Sequence, residues 1–256
     1  MSDFLIILIF IIIFFYNRKK LRIFFKKKIE SMDIESVHEI FEPIKISKNL
    51  LGPNDNLIIK SFSVPSSYKV VGMTSDYESW ILSCLSKVSD NIFEFGTCSG
   101  KNTMLMALNS RESSSIVSLT LNQDQSKNLN LNKKDNNTSI RNIVNESNYE
   151  KFFFSGKEIE KKIKVIFIDS RKFDTKQYLK KFDLIFIDGG HTYSIVKNDS
   201  EKAFEMLSNK GIIIWHDYVV GKESCKDVCG YINEIEKEKK IYHIKNTSMC
   251  YFKSNP

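Results

Sequence analysis

No two of the five cysteines in this chain are spaced C-x-x-C, and their odd number leaves no closed set of disulfides. A structural zinc site needs four ligands, whereas Cys225-x-x-x-Cys229 offers two cysteines one helical turn apart and no second pair. Cys84, Cys98, Cys225, Cys229 and Cys250 are therefore expected to be reduced, mostly buried thiols of a cytosolic domain. No internal repeat is visible. Net positive charge is small beyond the first segment. The net charge is +7, but residues 1–30 hold seven basic and two acidic side chains, which leaves about +2 for everything after them. A nearly neutral remainder argues against a nucleic-acid partner. What the chain does have is 256 residues of which 42% are hydrophobic, enough for one cored domain with a short appendage.

The appendage is Phe4 to Tyr16, an apolar run of Leu, Ile and Phe followed by Arg18, Lys19, Lys20, Arg22, Lys26, Lys27 and Lys28. A cleaved signal peptide carries its positive charges first and a small-residue site afterwards, and neither is present. As a helix the run covers about 20 Å against a hydrocarbon core of ~30 Å. Snorkelling of the basic flank and local thinning close that gap. A helix buried on the domain is the plainer alternative, but the run has no polar side. The expectation is an uncleaved single-pass membrane anchor through residues 4–16, with the basic flank and the domain after it on the cytoplasmic side.

The chain then divides into residues 1–30, anchor and basic juxtamembrane segment; residues 31–73, a connecting segment punctuated by Pro43, Gly52-Pro53 and Pro65; and residues 74–256, the globular domain. Tyr77, Trp80, Ile81, Cys84 and Leu85 fall at helical spacing within Thr74–Lys87. Strands are expected at Ile92–Phe95, Ile116–Leu121, Val165–Ile168, Leu184–Ile187 and Gly211–Trp215, with helices at Asn102–Asn109, Tyr149–Ile163 and Tyr193–Leu207. The polar stretch Asn122–Asn148 reads as loop or weak surface helix, and Ile241–Ile244 with Met249–Phe252 as a closing hairpin. Such alternation predicts an α/β domain, a mostly parallel sheet covered by helices on both faces.

Phe93-Glu94-Phe95-Gly96-Thr97-Cys98-Ser99-Gly100 ends a strand on an acid, makes a glycine turn and leads into a helix. Backbone N–H groups at such a helix N-terminus meet ligands. The spacing G-x-x-x-G fits neither a dinucleotide fingerprint nor a phosphate loop. It resembles the first motif of class I S-adenosylmethionine-dependent methyltransferases. Two further blocks occur in order, Leu184–Tyr193 with Asp188-Gly189-Gly190-His191, and Gly211–Tyr218 with Trp215-His216-Asp217-Tyr218. Together the three are similar to the sugar and small-molecule O-methyltransferase branch over about residues 74–252.

The resemblance implies a Rossmann-like seven-stranded sheet and S-adenosylmethionine as cofactor. Glu94 and the turn Gly96, Thr97, Cys98, Ser99 and Gly100 would face its methionine half, and Asp169 and Ser170 its adenine. The family's ribose-gripping acid at the end of the second strand is missing here, leaving Thr120, Asn122 or Asp124 as substitutes. Capping of the next helix is the plainer role for each strand-end Asp, Asn or Ser. Asp188 and Asp217 would hold Mg²⁺ or another divalent metal, with His216 as a softer third ligand where relatives carry an acid. His191 would take the acceptor's proton as general base near neutral pH, beside Asp188. Trp215, Tyr193 and Tyr218 are expected to wall the acceptor pocket.

The function expected is O-methyl transfer to a sugar, glycolipid or other small hydroxyl acceptor at the cytoplasmic membrane face. A non-catalytic, membrane-tethered binding module retaining the fold is the alternative, favoured by the missing ribose acid and by His216. The G-x-x-x-G spacing disfavours a nicotinamide oxidoreductase. Nothing in the sequence sets the oligomeric state.

Overall fold

The computed structural model describes residues 35–37, 59–62, 74–129, 132, 135 and 143–254. The expected anchor at residues 4–16 and its basic flank lie outside the described residues. Among the described residues no helix is long and apolar enough to cross a membrane.

One sheet organises the domain. Its strands are β1 (Glu35–Val37), β2 (Asn91–Phe95), β3 (Ser115–Thr120), β4 (Ile163–Phe167), β5 (Phe182–Ile187), β6 (Leu207–Trp215), β7 (Tyr242–Ile244) and β8 (Cys250–Lys253). They lie in the order β4-β3-β2-β5-β6-β8-β7-β1, parallel except for β8, which runs antiparallel to both β6 and β7. Seven of these are the strands expected of the family sheet. The eighth, β1, pairs in parallel with β7 and comes from the stretch read as connecting segment. Three residues are too few to show a period-2 pattern, so it left no mark in the sequence.

Alternation along each central strand sends side chains to two cores. Phe93, Phe95, Ile185, Ile187, Ile213 and Trp215 enter one, and Ile92, Leu184, Phe186 and Ile214 the other. The first core is covered by α4 (Tyr193–Met206) and α5 (Lys226–Ile235), the second by α1 (Asp76–Lys87) and α2 (Lys101–Asn109), with the short α3 (Gln123–Lys127) following β3. Burial on both faces explains why these strands read as near-continuous apolar runs. Truncating Phe93 to Ala, fully buried among the rings of Phe95, Phe173 and Phe182, would cost about 3–5 kcal/mol.

The sequence Ser75-x-x-Glu78 starts α1 with a capping box, in which Ser75 Oγ accepts from Glu78 N at 3.3 Å and the Glu78 carboxylate accepts from Ser75 N at 2.7 Å. The helix expected over Tyr149–Ile163 does not form. Only a 3-10 stretch, Glu158–Lys162, is helical there. Instead Phe152 and Phe154 stack on each other and press on the turn at Gly100, while Phe153 N donates to Ser99 O at 3.0 Å. Contact with the glycine turn takes the aromatic residues that gave the segment its helical look.

The chain runs outward from β2 to β3 and β4, then returns to the other side of β2 with β5 and β6. The order therefore reverses between β2 and β5, the place where open α/β sheets bind ligands beyond their strand ends. Phe95 pairs with Ile187, so Gly96 and Asp188 emerge side by side at that point.

Candidate active site

Gly96 lies at φ 99° because the two strand ends touch. A Cβ on it would sit 2.2 Å from Asp188 O and 2.8 Å from Gly189 Cα. Only glycine combines that angle with that approach. Cys98 and Gly100 also take left-handed angles, 46° and 77°. Gly100 caps α2 without a side-chain bond, so the first N–H groups of the helix have no side-chain cap. Beyond this turn lies an open cleft. The ends of β2, β3, β4 and β5 supply its walls, among them Gly96, Cys98, Thr120, Asp169, Ser170 and Asp188.

Of the other residues expected at the cofactor, Glu94, Thr97 and Asn122 are not among the cleft walls. Glu94 is fully buried beneath the turn, where its Oε2 accepts from Thr103 Oγ1 and, at 2.5 Å, from Ser118 Oγ, while Oε1 has no partner among the described residues. Burial pushes its carboxyl up to about 8, against the hydrogen bonds from Ser118 and Thr103. Thr97 is buried too, its Oγ1 2.6 Å from Ser118 Oγ. Ser99 and Gly100 are not among the cleft walls. Asn122 caps α3, its side chain accepting from Gln125 N at 2.8 Å, which is the plainer role foreseen for it. Asp169 reaches the cleft but is held by Arg171, whose Nη2 lies 2.7 Å from Oδ2.

Beside the cleft, around Asp188 in its wall, five ionisable groups meet. His191 Nε2 lies 2.7 Å from Asp217 Oδ2. His216 Nδ1 lies 3.1 Å from Asp188 Oδ1 and 3.2 Å from Asp217 Oδ2, close contacts in which neither oxygen is aligned for a good hydrogen bond. Asn102 Nδ2 donates to Asp188 Oδ2 at 3.2 Å. His216 Nε2 lies 3.6 Å from Glu78 Oε2. Asp217 adopts φ 63°, a left-handed angle that turns its carboxylate back over the strand ends.

Charge follows from this packing. Burial opposes protonation of His191, but Asp217, with Glu146 and Asp188, outweighs it and raises the imidazole to about 9. His216 is likewise buried yet raised well above its ordinary value by Asp188, Asp217 and Glu78. Burial would raise Asp217, and the two histidines hold it far below the usual carboxylate range. Asp217 thus favours the protonated ring, so His191 would act as the base expected of it only from its unprotonated fraction.

Asp188, His191 and Asp217 each offer one ligand atom, all within 4.8 Å of one another. Two carboxylate oxygens and an imidazole at that spacing fit a divalent ion, with His191 in the place expected for His216. None of the three aromatic residues expected to wall the acceptor pocket is among the walls of the described cleft. Trp215 is fully buried with Nε1 donating to Ser200 Oγ at 2.8 Å, Tyr218 OH donates to Asn233, and Tyr193 OH donates to Glu234.

Two participants, Glu78 and Glu146, escaped the sequence reading. Glu78 carries the S-x-x-E capping signal, but its bonds to Ser248 N and Oγ at 2.6 and 2.7 Å have no local signature. Glu146, in a helical turn over 143–146, lines the cleft from a stretch that composition marked as surface loop.

Residues 93–218 match the family profile described as a methyltransferase domain. Among solved structures, a Klebsiella pneumoniae protein of inferred O-methyltransferase activity matches at 14% identity and TM-score 0.51, covering 75% of this chain and 84% of its own. A Corynebacterium glutamicum protein matches at 7% identity and TM-score 0.51, covering 72% and 83%. An O-methyltransferase of tomaymycin synthesis from Streptomyces achromogenes, in complex with S-adenosylmethionine, matches at 11% and TM-score 0.49, covering 72% and 82%. At such identities the structural likeness is one of fold. No curated protein matches the sequence. The matched family profile and the fold make this chain a class I S-adenosylmethionine-dependent methyltransferase. It is accordingly an enzyme, not a binding module that merely keeps the fold.

Proposed function

We propose that the enzyme methylates a hydroxyl oxygen of a small acceptor, a sugar or glycolipid headgroup, at the membrane surface. The observation that carries the reading is the meeting of the Gly96 turn with Asp188 in the cleft wall and, beside it, His191 and Asp217. Cofactor on the turn side and acceptor on the cluster side would meet at Asp188. The donor carbon is already activated, so the protein's task is alignment and the handling of one proton. As the acceptor oxygen bonds to the methyl carbon, the carbon–sulfur bond breaks and its electron pair returns to sulfur. The hydroxyl proton passes to the His191–Asp217 pair. That pair accepts it only from the fraction in which His191 is unprotonated, so the contact that steadies the ring also restrains the base. A divalent ion on Asp188, His191 and Asp217 would be the alternative to that base, because it would take the imidazole's lone pair; it would itself lower the hydroxyl's pKa and orient a vicinal diol.

The membrane half of the proposal rests on residues 4–16 and their basic flank. Tethering raises the effective concentration of acceptors in the same surface. Two measurements test the proposal. The full chain should bind S-adenosylmethionine in calorimetry and transfer labelled methyl to lipid-linked or free glycans; label appearing only on nitrogen or carbon would refute O-transfer. Fractionated cells should hold the chain in membranes through a high-salt wash and release it with detergent; release by salt alone would reduce the run to a surface contact.

A further inference from the structure

Four carboxylates line the cleft, those of Glu146, Asp169, Asp188 and Asp199. Asp169 is bound by Arg171. Asp188 has Asn102 and His216 against it. Asp199 is buried, with Asn198 Nδ2 donating to it at 2.8 Å. Glu146 alone of the four has no hydrogen-bond or ion-pair partner among the described residues.

Its place is set by packing. The turn 143–146 is pinned by Ile143, almost fully buried, whose Cδ1 would lie 3.2 Å from a Cβ on Gly190. Ser147 Oγ donates to Ile143 O at 2.7 Å and tightens the turn. Glu146 therefore lines the same cleft as Cys98 of the glycine turn and Asp188 at the end of β5, near enough to both to interact electrostatically. Both sides feel it. Burial raises the Cys98 thiol to about 12, and Glu146 leads the charges that add to the rise. Burial raises Glu146 itself to about 7, opposed by His191 and assisted by Asp188 and Asp217.

With cofactor on the turn side and acceptor on the cluster side, the donor sulfur would sit at the junction between them. The sulfur is a cation before transfer and a neutral thioether after it. Glu94, the acid expected to serve the cofactor, is sealed below the turn with its carboxylate committed to Thr103 and Ser118. We propose that Glu146 is the carboxylate that faces the cofactor's sulfonium, so that the cleft holds the charged donor more tightly than its neutral product. The inference rests on the cofactor reading above and names the residue that would sense its charge.

Calorimetry of the full chain with S-adenosylmethionine and with S-adenosylhomocysteine, before and after Glu146→Gln, separates the possibilities. The expected result is a loss of about tenfold for S-adenosylmethionine, equivalent to ~1.4 kcal/mol, with S-adenosylhomocysteine changed less than twofold. Equal losses for both ligands would place Glu146 at a part they share, such as the ribose hydroxyls, and overturn the proposal. So would unchanged affinity for both. Should the Gln variant fail to fold, Glu146→Asp keeps the charge on a shorter stem, and its preference for the charged ligand should fall between those extremes; a preference equal to the unmutated protein's would overturn the proposal. If the unmutated protein binds neither ligand, the cofactor reading itself fails, a result unlike any of these.

Discussion

His191 Nε2 and Asp217 Oδ2 stand 2.7 Å apart, joining the turn after β5 to the end of β6 in a largely water-excluded contact. His191 does not line the cofactor cleft. Replacing it with Asn should therefore leave S-adenosylmethionine affinity in place and slow methyl transfer by roughly 10²–10⁴-fold, the usual worth of a positioned proton acceptor. Single-turnover transfer beside calorimetry reads both quantities. Full turnover in His191→Asn would remove the histidine from the mechanism.

Asp188, His191 and Asp217 should give a metal-dependent melting temperature. Mn²⁺ should stabilise the protein more than Mg²⁺, because one of the three donors is an imidazole nitrogen. Asp217→Asn should abolish the shift. A thermal scan with each ion, with and without excess chelator, decides it; identical melts in all conditions would leave the cluster without a metal role.

Gly96→Ala should cost more than a surface substitution of the same kind. The new Cβ meets the Asp188 carbonyl at 2.2 Å and adopts φ 99°, so β2 and β5 must separate at their ends. Backbone strain alone is worth about 1–3 kcal/mol. Denaturant melts should show that loss, and calorimetry should show cofactor binding weakened beyond it. Native stability and native affinity together would contradict the close approach.

Glu94 predicts a pH dependence. Its folded value of about 8 exceeds the ordinary 4.5, so the folded state keeps a proton that the unfolded state releases. Its contribution is complete below about pH 4.5 and is lost as pH rises through about 8, with a slope of at most about 1.4 kcal/mol per pH unit. Urea melts of Glu94→Gln should lack that decline, since an amide does not ionise. A parallel decline in the variant would assign the slope to other groups.

The sheet was legible because Phe93, Ile185 and Ile213 sit in runs too apolar for anything but doubly covered strands. The glycine turn and the Asp188–His191 and His216–Asp217 blocks were legible because strand ends concentrate chemistry. Contacts between distant segments were not. Nothing near Glu78 in sequence foretells Ser248, and nothing near Glu146 foretells Gly190. Trp215 misled for a related reason. Its position beside His216 suggested the pocket, but alternation along β6 sends neighbouring side chains to opposite faces, and the indole went to the core. Phe152 and Phe154 misled through composition, since aromatic residues close together satisfy a helix pattern and a turn packed on glycine alike.

The bond between Glu78 and Ser248 spans 170 residues. During synthesis the first of these leaves the ribosome long before the second, and in that interval the carboxylate that backs His216 has only its own helix cap for company. The strands of the sheet can begin to associate from the amino end, as domains do while they are made. The acid–histidine cluster cannot take its final form until the hairpin of β7 and β8 has emerged and folded back against β6. A ribosome that stops short of Ser248 therefore releases a chain with most of its core and an incomplete site.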